Sequence, residues 1–185
     1  MSVQRHGLVI LFFGFFAQFL YCGIGCAADL YHNEKYGFSV VRPLNAQMCK
    51  QIAPNPNHGV VLLLASQASC DQLVYADAKI EVNGEFNTSE SQNVEILKYN
   101  ICNRRGHTGT MPPNLNIDKL NTRSCMVISA NNKIEIWVVA QRQTGKNIDG
   151  WINYEVALFT TKTRKEKDLA TLRRVLLGIR ILSPV

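Results

Sequence analysis

Ser124–Thr161, "SCMVISANNKIEIWVVAQRQTGKNIDGWINYEVALFTT", is the stretch that decides the fold. Ser124–Ala130 and Lys133–Gln143 read as two strands flanking Asn131-Asn132, a pair that tolerates the positive φ of a two-residue hairpin turn. On the second strand Ile134, Ile136, Val138 and Ala140 share one face. Trp137 and Val139 fall on the other, so both faces of this strand are expected to be covered. "GKNIDG", Gly145–Gly150, turns the chain again. Trp151–Thr161 follows as a third long strand, with Ile152, Tyr154, Val156 and Leu158 on one side. Strands joined by short turns need no crossover helices, so the fold class is α+β rather than doubly wound α/β.

Downstream, Thr163-Arg-Lys-Glu166 has the pattern of a capping box. Leu169, Leu172, Val175 and Leu176 form a helical apolar stripe, Gly178 ends the helix, and Ile179 and Ile181 pack the tail. Upstream, Ser89–Gln92 is a second capping box. Val94, Leu97 and Ile101 recur at helical spacing, and Arg104-Arg105-Gly106 closes that helix. Lys79–Phe86, "KIEVNGEF", alternates as a half-buried strand, and Val60–Ala65, "VVLLLA", reads as a buried one. Tyr36–Pro43 is a short first strand stopped by proline. Between them "NAQMCKQIAPNPNHG", Asn45–Gly59, reads as a loop or short helix. The expected architecture is one central antiparallel sheet with two main helices packed on it, stabilised by disulfides.

The chain begins with one positive charge, Arg5, followed by an apolar run from Leu8 to Gly25 broken only by Gln18. Small residues follow in "GCAAD". This is the pattern of a secretory signal, read here as residues 1–28, with a single domain over 29–185. The run is also about long enough to remain as an anchor. Cys26 behind Ile24-Gly25 offers lipidation as an alternative, although Gly23 stands where a lipobox usually has leucine. Export makes the compartment periplasmic and oxidising.

Cys49, Cys70, Cys102 and Cys125 remain after residue 28. Four cysteines in an exported chain point to two disulfides, and three connectivities are open. Cys49–Cys70 and Cys102–Cys125 are favoured because each closes a compact local loop. No Cys-x-x-Cys pair suggests a structural metal site. The net charge of +6 becomes +5 when Arg5 is removed with residues 1–28, which contain no acid. An exported chain rarely meets nucleic acid, so this charge points to an acidic protein or an anionic membrane surface. No cofactor is expected.

The search for chemistry finds no Gly-x-Ser-x-Gly, no His-Glu-x-x-His and no phosphate-binding glycine loop. His32, His58 and His107 have no partner at a catalytic spacing. Disulfide-bonded cysteines leave no thiol nucleophile. The basic set Lys162, Arg164, Lys165, Lys167, Arg173, Arg174 and Arg180 reads as the wet face of a helix, interrupted by Glu166 and Asp168. Gly106–Arg123, "GHTGTMPPNLNIDKLNTR", is the longest irregular stretch, and such loops are often functional. Arg104, Arg105, His107, Thr108, Asn114 and Asn116 are the candidate partner-binding residues.

"YGFSVVRP" near residue 36 and "WINYEVALFTTKTRKEKDLATLRRVLLGIRI" at the end resemble the opening and closing segments of the PsbP/Mog1-like group of small exported domains. The four-cysteine spacing and "IEIWVVAQ" are similar to those of small periplasmic proteins that neutralise toxins delivered by type VI secretion. The resemblance implies a non-enzymatic α+β domain that binds a protein and carries no catalytic residues. The expected function is therefore an immunity or inhibitor protein that plugs a secreted toxin with the 106–123 loop. An envelope accessory protein or lipoprotein domain is the alternative, ahead of a periplasmic hydrolase whose residues meet only in the fold.

Overall fold

The computed structural model describes residues 29–50, 58–64, 69–87, 93–103, 107–129, 131–144 and 150–182. The first strands are β1 (Leu30–Asn33), β2 (Phe38–Val41), β3 (Gln47–Lys50), β4 (Gly59–Leu63) and β5 (Lys79–Asn87). Helix α1 (Val94–Asn103) precedes β6 (His107–Thr108), β7 (Thr122–Ile128), β8 (Lys133–Gln143) and β9 (Trp151–Thr161). Helix α2 (Lys165–Gly178) and β10 (Arg180–Ile181) complete the order.

Seven strands form one antiparallel sheet in the order β3-β4-β5-β9-β8-β7-β6. The expected meander β7-β8-β9 is its centre and one flank, and β9 pairs along its whole length with β5. The α+β class stands. The structure adds a second sheet, β1-β2-β10, which the sequence reading did not anticipate.

The two helices lie on opposite faces of the large sheet. Ile136 and Val138 of β8, Ile152 to Leu158 at alternate positions of β9, and Ile80 and Val82 of β5 meet Leu169, Leu172, Val175 and Leu176 of α2. Phe38 and Val40 of β2 join the same core. On the reverse of β8, Val139 meets Val94 and Leu97 of α1, and Trp137 lies with Cys102 and Cys125. Both faces of β8 are thus covered, as its composition led us to expect.

Local differences have local causes. Within the segment expected to be loop or short helix, residues 47–50 form β3 against β4, with Cys49 turned inward. Residues 51–57 lie outside the described residues, as does the Ser89–Gln92 box apart from its neighbour Asn93. Asn93 caps α1 at the start of its described length: its Oδ1 accepts the N–H groups of Glu95 and Ile96, both at 3.0 Å. The Thr163–Glu166 box does not form. Thr163 shares a hydrogen bond with Thr161, and the residue preceding α2, Arg164, makes no side-chain cap.

The β7–β8 turn is longer than two residues: Ser129 N–H donates to Lys133 O, and Asn132 N–H donates to Ser129 O. Asn132, at φ 56°, supplies the positive φ. Gly84 of β5 permits a close approach, because a Cβ there would sit 2.6 Å from Cβ of the buried Tyr36.

Asp168 is not a surface interruption of the basic set. It is buried, accepts hydrogen bonds from Thr160 Oγ1 at 2.6 Å and Arg164 Nε at 3.0 Å, and ties the start of α2 to β9. Arg164 Nη2 also donates to Leu64 O at 3.1 Å. The hydrogen bond to Asp168 holds the Arg164 guanidinium above its ordinary pKa.

Candidate functional site

The disulfides are Cys49–Cys70 and Cys102–Cys125, with Cα separations of 5.4 and 6.3 Å. Strand register adds something the pairing alone does not. Cys49, Val61, Glu81, Ala157, Trp137 and Cys125 form one cross-strand row over six strands. Residues directly opposite in antiparallel strands point to the same face. Both disulfides therefore rise from one face of the sheet, near its two edges. One pins the 3-10 segment Cys70–Tyr75, whose Leu73 packs over Val61 and Leu63. The other pins the end of α1.

Helix α1 buries Val94, Leu97 and Cys102 and leaves a second stripe, with Ile96 and Tyr99 exposed. This stripe, the Cys102–Cys125 bridge, Gly109, Met111 and Met126 enclose a cleft of about 600 Å³. Among the described residues β7 has no strand partner beyond β8 until Val127, where the two-residue β6 begins. The floor of the cleft includes Ser124–Met126; Gly109 N–H occupies Met126 O, so among the described residues the edge of β7 without a second strand runs from Thr122 to Cys125. An apolar wall beside free backbone groups can hold an extended segment of another chain. Glu95 and Arg123 form an ion pair at the rim, and Arg123 Nη1 also donates to Asn121 Oδ1 at 2.7 Å. Its hydrogen bond from Arg123 holds the Glu95 carboxyl below its ordinary pKa.

The sequence candidates fall unevenly around this cleft. Arg104 and Arg105 lie outside the described residues. His107 and Thr108 form β6 at the sheet edge, and Gly109 continues the pairing with its N–H on Met126 O at 2.9 Å. Asn114, at φ 62°, and Asn116 are exposed. They alternate with Leu115 and Ile117, which are buried in the main core. The 106–123 segment is therefore not a free polar loop along its described length. The sequence reading passed over Ile96 and Tyr99. Their signal was available: two large apolar residues off the Val94–Leu97–Ile101 stripe of an amphipathic helix.

Between the two disulfide-anchored covers, the same face of the sheet is polar. His58, Glu81, Asn83, Glu85, Asn153 and Glu155 line a depression of about 290 Å³. His58 stands among carboxylates there, but its ring is within 3.3 Å of the Tyr36 hydroxyl, and Glu81 pairs with Lys79 at 2.8 Å. Among the described residues, no hydrogen bond joins His58 to a carboxylate, and no group of three His, Cys, Asp or Glu side chains is placed to hold a metal ion.

No protein-family model matches the chain, and no curated protein is similar to it. Several solved structures are similar to it. LpqN of Mycobacterium tuberculosis, described as involved in cell envelope biogenesis, is similar at a TM-score of 0.58 and 6% identity, over 86% of this chain and 87% of that one. PsbP of the cyanobacterium Synechocystis is similar at 0.49 and 12% identity, over 86% and 95% respectively. At this identity the likeness to LpqN is one of fold.

Proposed function

We propose that the chain is an exported, non-enzymatic domain of the cell envelope that binds a protein partner at the α1–β7 cleft. The observation that carries this reading is the cleft itself: exposed Ile96 and Tyr99 facing an uncovered strand edge, on a helix fixed by a disulfide. Anchoring of this kind lowers the ordering cost of association. Support for export comes from the two disulfides and the secretory pattern of residues 1–28. The fold shared with LpqN, an envelope-biogenesis protein, supports the compartment. The sequence likeness to neutralisers of type VI toxins makes a secreted toxin the first partner to test.

The test is affinity capture with the oxidised chain recovered from an expression host's envelope, followed by calorimetry on each retained protein. Tyr99→Ala with Ile96→Ser should weaken a genuine complex by about 30-fold, the cost of losing one anchoring hot spot. Arg105→Ala with His107→Ala tests whether the neighbouring β6 end contributes. A partner bound equally by all three chains would remove the cleft from consideration. Loss of a captured toxin's activity on binding would specify the immunity role, whereas capture of resident envelope proteins alone would specify the accessory role. A hydrolytic activity that His58→Ala abolishes would replace both.

A further inference from the structure

We infer that the end of the domain where the chain arrives at Asp29 is a docking face for an anionic lipid bilayer. Eight large apolar side chains are exposed among the described residues, and four of them, Leu30, Val41, Leu44 and Leu177, belong to this end. Two of them are register partners, and the other two lie close along the chain, one after Val41 and one before Gly178. Leu30 pairs directly with Val41. Arg180 pairs with Ser39, and continuing that register two residues sets Gly178 against Val41, where a Cβ on Gly178 would lie 3.5 Å from Val41 Cβ. Leu177 precedes it in α2.

Leu44 stands on the turn after β2. That turn is held by Ala46 N–H on Pro43 O at 3.0 Å and by Arg42 Nη1 on Ala46 O at 2.9 Å. Leu44 is 85% exposed and Leu177 75% exposed, which is more than scattered surface leucines need explain when they share one end of a molecule.

The charge around this set is positive. Arg173 and Arg174 are exposed one turn before Leu177. Arg180 is held beside it by hydrogen bonds from Nη1 to Leu177 O and Ile179 O, at 2.8 and 3.1 Å. Among the described residues none of these three arginines is in an ion pair. Among the described residues, the carboxylates at this end are Asp29, paired with Arg42 at 2.7 Å, and Asp118, whose Oδ2 accepts the Ile181 N–H at 3.1 Å on the other side of β10. Aliphatic side chains collared by arginines suit a headgroup boundary, where the apolar parts reach the acyl region and the guanidinium groups sit among the phosphates.

The sequence outside the structure points the same way. Gly25, the end of the apolar run, is four residues before Asp29, a reach of at most ~14 Å. A bilayer that held the run, or a lipid on Cys26, would meet this end of the domain first. The inference uses no part of the α1–β7 cleft and stands or falls apart from it.

The test is flotation of the full chain, expressed for export and recovered oxidised, with phosphatidylcholine vesicles that do or do not contain phosphatidylglycerol. Mass spectrometry of the recovered protein reports what it retains of residues 1–28. The wild type should partition more strongly into the anionic vesicles, and salt should weaken that preference. Arg173→Glu, Arg174→Glu and Arg180→Glu together should lower anionic partitioning by about 100-fold or more. Leu44→Ser with Leu177→Ser should lower it by about tenfold to a hundredfold.

All five positions are exposed, but Arg180→Glu gives up the hydrogen bonds to Leu177 O and Ile179 O at the end of α2, so unfolding midpoints are measured alongside. Arg173→Glu with Arg174→Glu alone, which leaves those bonds in place, should still lower anionic partitioning by about tenfold or more. Protection of the Arg173, Arg174 and Arg180 bonds from trypsin on anionic vesicles gives a second readout that a retained apolar segment alone would not produce. Equal partitioning of the arginine variant and the wild type into anionic vesicles would overturn the proposal. So would loss of an envelope protein, rather than of lipid, on substituting this face.

Discussion

The two faces of the seven-stranded sheet are held by different physics. The α2 face is a continuous apolar core: β2, β5, β8, β9 and α2 interdigitate, and Phe38, Ile80, Ile136, Leu158 and Leu172 are essentially inaccessible. The α1 face has no such continuity. Its covers sit near the two edges, each over a small apolar cluster and each bonded to the sheet by one disulfide, with a polar strip between. Where apolar area suffices, burial holds the layers together. Where it does not, a covalent link replaces it and leaves surface free for binding. The six-strand row that begins at Cys49 and ends at Cys125 shows this division within one line of residues, with Glu81 near its middle.

Truncation in the continuous core should have the largest effect. Leu172→Ala removes a fully buried side chain from the centre of the α2 interface and should cost about 3–5 kcal/mol, the range for leucine truncation that leaves a cavity. Denaturant unfolding should show one lowered transition, and amide exchange should accelerate over the whole sheet. A loss confined to α2 would mean that the core is less cooperative than its packing implies.

Opening a disulfide should cost about 2–4 kcal/mol and act differently. In Cys102→Ser with Cys125→Ser, amide protection should fall first in α1, while α2 and β9 keep theirs relative to global stability. If α2 loosened equally, the two faces would not be separable and the comparison would fail. Asp168→Ala comes next, at about 1–3 kcal/mol. It strips Thr160 of its acceptor and leaves Arg164 without its partner, but Arg164 is partly exposed and water offsets part of the loss. Unfolding at neutral pH measures it, and no change would mean that the Thr160 and Arg164 hydrogen bonds to Asp168 do not contribute to stability.

The same contrast explains what could be read in the sequence. Strands β5, β8 and β9 announced themselves because they are long and each turns an apolar face toward the α2 core, which writes an alternation into the residues. The apolar stripes of α1 and α2 were equally plain, and compact loops favoured the disulfide pairing that is observed. β1, β3 and β10 were not legible. They are two to four residues long, and β10 exists because Arg180 and Ile181 pair with β2, about 140 residues earlier in the chain. Asp168 was misread for a similar reason: its partner Thr160 lies on another element. The cleft was half legible. Its α1 wall could have been found in Ile96 and Tyr99, but the open edge of β7 depends on where β6 starts and stops, which pairing decides.

The smallest expected effect sharpens the comparison with pH. Tyr154 donates its hydroxyl to Tyr36 O at 2.8 Å inside the α2-face core, and burial raises its pKa above the ordinary 10.0 despite the opposing Arg142 charge. Tyr31, on β1, is raised by burial too, with the hydrogen bond from Asn33 opposing. For an acid whose folded pKa exceeds its unfolded one, the stabilising contribution is complete below the unfolded value and is lost as pH rises through the folded value. Tyr154→Phe should therefore cost about 1 kcal/mol at neutral pH, the usual worth of one hydrogen bond. That deficit should close as pH passes 10.0, where the wild type alone must ionise or hold Tyr154 protonated at a cost. Paired denaturant titrations of the two chains across this range measure it. A deficit that stays constant above the phenol's ordinary pKa would mean that Tyr154 is not protected by the core, and the α2 face would then be less tightly closed than its packing indicates.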